Sequence, residues 1–173
     1  MSVCLAVLGI IITGLQASGR ETEAQLLQRI QSEQNPVKKA KDEIKLASLE
    51  LTQVHDEYST GHVDDGAKLL GTFIGEMKSS WKLLQDSGRK APRQPEGFRE
   101  LEISLREDVR SLQDLARAVS YFDRAPITSA AQQLEQMRDE VIHAQFPAGN
   151  PRGHKDAPPL QSTPAPDGPK EER

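Results

Sequence analysis

The sequence predicts an all-α protein: two antiparallel helical hairpins plus a short leading helix, bundle-like, followed by a disordered C-terminal tail. Three observations lead there. Between residues 20 and 146, apolar residues recur at three- and four-residue spacing, the period of one helix face. No stretch alternates with period two for the length of a strand. Hydrophobic residues are also unevenly placed: 12 in residues 1–19, 46 in residues 20–146 and 4 in residues 147–173. The expected domains are therefore 1–19, a cleaved signal peptide; 20–146, the helical bundle; and 147–173, a proline-rich tail.

Val3–Ile12 is an apolar run of signal-peptide h-region length, and Ala17-Ser18-Gly19 supplies small residues before Arg20. A bilayer span needs ~20 apolar residues, so export with cleavage is expected, into a periplasmic or extracellular compartment. The alternative is a protein anchored in the membrane by an uncleaved N-terminal segment. Cys4 is the chain's only cysteine and lies inside this run. The exported chain would then have no disulfide, no catalytic thiol and no thiolate-held zinc.

Thr22–Gln34 is amphipathic and forms the leading helix. Asn35-Pro36 is a helix start, since Asn caps and Pro suits the first helical position. Val37, Ala40, Ile44, Ala47, Leu51, Val54 and Tyr58 then form a stripe that ends at Gly61. A second stripe, Val63, Ala67, Leu70, Ile74, Met77, Trp81 and Leu84, ends at Gly88. Neither stripe is buried until it faces another, so the pair makes an αα-hairpin. The polar loop 89–97 contains Pro92 and Pro95. Phe98, Leu101, Leu105, Val109, Leu112, Ala116 and Val119 carry the next helix. Asp123 and Pro126 mark the start of the last one, which runs through Ile127, Ala130, Leu134, Met137, Val141 and Ala144 to Phe146-Pro147. The tail holds 7 of the 11 prolines and balanced charges, too little apolar surface to offset its ordering entropy.

Gly61-His62-Val63, with Gly66 and Leu70, resembles the inter-helix turn of a tetratricopeptide repeat over about ten residues. The resemblance implies a helix–turn–helix here and no more. No ~34-residue period recurs, and stable arrays need about three repeats.

His55, His62 and Asp65, in a cluster with Asp56, Glu57 and Asp64 at the first hairpin's tip, are the candidate metal ligands. Against this, acids in a first helical turn also answer the helix dipole. Glu140-x-x-His143 has di-iron bundle spacing, but such sites need a second pair, and no other histidine follows a glutamate by three. No G-x-S-x-G elbow or phosphate loop is present. Gly71 and Gly75 are expected to let the facing helix approach near Ala40–Ala47. Arg89, Lys90, Arg93 and Arg99 against Glu96 and Glu100 leave a small local positive excess, far from the broad basic face of a nucleic-acid binder.

Function is read only coarsely from this. The expectation is an exported, non-enzymatic helical protein acting through protein–protein contacts, as an adaptor, envelope component or chaperone-like binder. Phe73, Trp81 and Phe98 are the candidate partner-binding anchors, since aromatics dominate interface energetics. The expected partner is another protein, with a homo-oligomer as one form. Nucleic acid, cofactors and stable membrane insertion after cleavage are not expected. The alternative is a metal- or small-ligand-binding protein using the His55–Asp65 tip.

Overall fold

In a computed structural model the described residues are 22–147, and they form five α-helices. The segment 1–19 and nearly all of the tail, 148–173, lie outside the described residues. Helix α1 is Glu23–Ser32, α2 Pro36–Thr60, α3 Val63–Asp86, α4 Phe98–Ala118 and α5 Arg124–Gln145. The all-α, bundle-like fold class read from the sequence is the one observed, and no strand occurs among the described residues.

Local chemistry sets each boundary. The Thr22 side chain accepts from Gln25 N while the Gln25 side chain accepts from Thr22 N, a reciprocal cap that starts α1. Asn35 Oδ1 accepts from the backbone of Val37 and Lys38, and Pro36 follows at the first helical position. Gly61 ends α2 at φ 85°, a left-handed conformation that costs glycine little. Gly97 turns into α4 at φ 85°, where a Cβ would lie 2.5 Å from Leu84 Cδ2. The unpredicted element is a 3-10 turn, Tyr121–Asp123, joining α4 to α5. Asp123 sits at the cap position of α5 but makes no side-chain cap bond there; its carboxylate accepts instead from Ser120 Oγ at 2.6 Å.

Helices α2 and α3 pair along their lengths, as do α4 and α5, and contacts of α2 with α4 and α3 with α5 close the ring. This is an antiparallel four-helix bundle with α1 laid against α2. Glu23 accepts from Gln53, and Arg29 grips Asp42 through two nitrogens at 2.6 and 2.7 Å, so α1 runs antiparallel to α2. All seven stripe residues of α2 are buried, along with Leu70, Ile74, Met77, Trp81 and Leu84 of α3. The stripes omitted Phe73, Leu115 and Ala131, which are also buried because the ring gives each helix two neighbours.

One expectation is corrected. Gly71 and Gly75 do not admit a facing helix: both are exposed, and a Cβ at either would meet nothing within 4 Å. The glycine that does serve close packing is Gly66, where a Cβ would fall 2.7 Å from the Tyr58 ring.

Candidate functional site

The antiparallel order gives the bundle two unlike ends. At one lie the α2–α3 and α4–α5 turns; at the other lie the start of α4, the end of α5 and the loop from Ser87 to Gly97. Both ends are concave, and the second carries the more apolar of the two hollows.

Here Trp81 of α3 and Phe98 of α4 meet edge to face, with ring centroids 6.1 Å apart and an interplanar angle of 82°. The Trp81 indole N–H donates to Glu140 Oε2 of α5 at 2.9 Å. Both rings are buried as wholes, yet their edges floor an open trough of about 790 Å³, completed by Ala91, Ala144 and Pro147. That volume lies within the ~300–1,000 Å³ range of ligand clefts. The loop supplies the rim: Arg89, Lys90 and Arg93. Arg89 reaches Glu96 at 3.4 Å, whereas Lys90 and Arg93 make no ion pair among the described residues. An apolar floor beneath Lys90 and Arg93 suits an occupant with an apolar or aromatic group beside acids.

Phe73 is placed differently. It is fully buried in the core and touches no surface, so it cannot anchor a partner. Of the three aromatic candidates, only Trp81 and Phe98 line a concave surface.

The histidine-bearing tip does not converge. His55 Nε2 lies 2.7 Å from Ser111 Oγ of α4, and His62 Nδ1 lies 2.9 Å from Glu57 Oε2. Asp65 accepts from Lys68 Nζ at 2.8 Å, which holds its carboxyl below the usual range. Among the described residues no three His, Cys, Asp or Glu side chains form a group able to hold a metal ion. Glu140 and His143 both line the trough, but Glu140 is taken by Trp81, and His143 Nδ1 donates to the Asp139 carbonyl at 2.8 Å.

Two features escaped the sequence reading. The first is an exposed aromatic pair, Tyr121 and Phe122, at 78% and 89% exposure on the α4–α5 turn. The second is a pair of carboxylates on the side of α2 that faces α3, with α1 adding Glu23 beside one of them. Glu43 and Glu50 are buried with one carboxylate oxygen each unbonded, and Glu76 of α3 stands close enough to raise both. Desolvation is the main cause, and it pushes Glu50 up to about 7. Asp108 of α4, also buried, is pushed up to about 6 for the same reason, although Ser104 Oγ donates to it at 3.0 Å.

Comparison with protein families, curated proteins and solved structures finds no match to this chain. No helix among the described residues is long and apolar enough to cross a membrane.

Proposed function

We propose that this is an exported, non-enzymatic helical binding protein whose working surface is the Trp81–Phe98 trough. The supporting observation is the combination of an aromatic floor with Lys90 and Arg93 at its rim, which make no ion pair among the described residues. A buried core ends there in a concavity among the described residues, and the loop around it places cations where an acidic protein segment would lie. Binding would follow the usual division of labour: aromatic contact supplies the affinity, and the rim charges set orientation and association rate. Export is supported by the Val3–Ile12 run and the small residues 17–19.

Trp81 is the chain's single tryptophan, so its emission reports on the trough directly. The test is a titration of the full chain with short peptides that carry one aromatic residue flanked by acids, by bases or by neutral residues. Acidic peptides should shift the Trp81 emission saturably, and Lys90→Glu with Arg93→Glu should reverse the preference. Equal response to all three peptides, or none, would refute the proposal.

A further inference from the structure

We infer that the trough receives the Tyr121–Phe122 knob of a second copy of this chain, joining molecules head to tail. This rests on the binding reading above and names the occupant. The knob is the largest exposed aromatic feature among the described residues: its rings stand edge to face at 5.9 Å and are almost wholly in solvent. The turn beneath is fixed, because Ser120 Oγ donates to Asp123 at 2.6 Å and the Arg124 guanidinium donates to the Val119 carbonyl at 3.3 Å. A held, projecting aromatic pair resembles the anchor of an interface more than a frayed loop.

Three observations select a second copy as the occupant. The knob cannot reach its own trough, because α4, with 21 residues, separates them by ~32 Å at ~1.5 Å per residue. The charges differ in sign: the cleft beside the knob is lined by Asp56, Asp114 and Asp123, of which Asp114 is paired with Arg117, and Arg124 adjoins the rings, while the trough presents Lys90 and Arg93 together with Arg89, itself paired with Glu96, beside Glu140. The chemistry also matches, since two aromatic rings meet an aromatic floor, and Glu140, whose Oε2 accepts from Trp81, can accept from a phenol hydroxyl through Oε1. Knob and trough lie at opposite ends, so a single contact between two copies leaves one knob and one trough free, and further copies can add head to tail. Two aromatic side chains bury well under the ~1,200 Å² of a stable interface, so association is reversible and strongly concentration-dependent.

Sedimentation equilibrium of the full chain over a wide concentration range tests this, with Trp81 emission followed in parallel. Average mass and the emission shift should rise together with concentration. Tyr121→Ser with Phe122→Ser, and separately Lys90→Glu with Arg93→Glu, should each weaken association at least ~tenfold. All four positions are surface turns or loops, and unchanged helicity by circular dichroism will show that folding is intact. Mixing the two double variants should restore a one-to-one pair that grows no further, because each supplies the half the other lacks. A mass that stays monomeric, or association indifferent to both sets of changes, would overturn the inference. So would a Trp81 emission independent of concentration that changes on deletion of residues 148–173, since the trough would then belong to the chain's own C-terminal segment. A monomer that still responds to acidic aromatic peptides would overturn self-association and leave the binding reading standing.

Discussion

Glu50→Gln should make the protein more stable at neutral and alkaline pH. Glu50 is 7% exposed on α2, with one carboxylate oxygen unbonded, and it faces Glu76 of α3 and Glu23 of α1. Burial and these two like charges raise its pKa from 4.5 to about 7. Each unit corresponds to ~1.4 kcal/mol, so the full displacement would be worth about 3 kcal/mol. Solvent at the edges of the short helix α1 screens part of this, and an effect of about 1–2 kcal/mol is expected. The sign follows from linkage. The folded pKa lies above the unfolded one, so the folded state binds the proton more tightly, and stability falls as pH rises from about 4.5 to about 7. Asp108 adds a loss of the same sign between 3.8 and about 6. Glutamine removes the ionisation while keeping the shape. Urea unfolding followed by circular dichroism at pH 4.5 and pH 8 is the assay. The variant should match the parent at the lower pH and exceed it at the higher. Equal pH dependence in the two proteins, or a variant weaker at pH 8, would refute the desolvation argument.

Further predictions concern glycine and the docking of α1. Gly75→Ala should stabilise the protein by up to ~1 kcal/mol, because the site is exposed, helical and empty around the new Cβ. Gly66→Ala should destabilise it, by ~1–3 kcal/mol of overpacking less the helix-propensity gain, because the methyl meets the Tyr58 ring; thermal unfolding separates the two cases. Arg29→Ala removes the two-pronged contact with Asp42 and leaves a largely buried carboxylate without it. Amide exchange in α1 should accelerate at least ~tenfold, while α3 to α5 stay protected; uniform acceleration across the bundle would show that α1 is not a separate unit.

The helices were legible because their apolar residues keep step with the helix period and because Asn35-Pro36, Gly61 and Gly88 punctuate them. The reading of Gly71 and Gly75 failed because spacing along one helix does not say which face a neighbour takes; the ring of four helices put both on the outside. Phe73 stands among the candidate anchors because aromatics serve cores and interfaces alike, and only its burial in the core decides between them. Trp81 and Phe98 are distant in sequence, and their edge-to-face contact arises from the loop Ser87–Gly97 returning the chain across the bundle end. The buried carboxylates Glu43 and Glu50 were invisible because charged residues on a helix normally mark its solvated face, and nothing in the spacing shows that α3 and α1 both flank that side of α2. Tyr121 and Phe122 interrupt no stripe and carry no motif; their meaning lies in their exposure.

The central claim is that the Trp81–Phe98 trough, and not the histidine-bearing tip, is where this protein binds. The indole N–H of Trp81 gives one resonance in a proton–nitrogen correlation spectrum, because the chain has a single tryptophan. On titration with an acidic aromatic peptide, that resonance and the backbone amides of Ala91, Arg93 and His143 should shift together and saturate. His55, His62 and Asp65 should stay where they are. Shifts confined to those three residues, with Trp81 unmoved, would contradict the account.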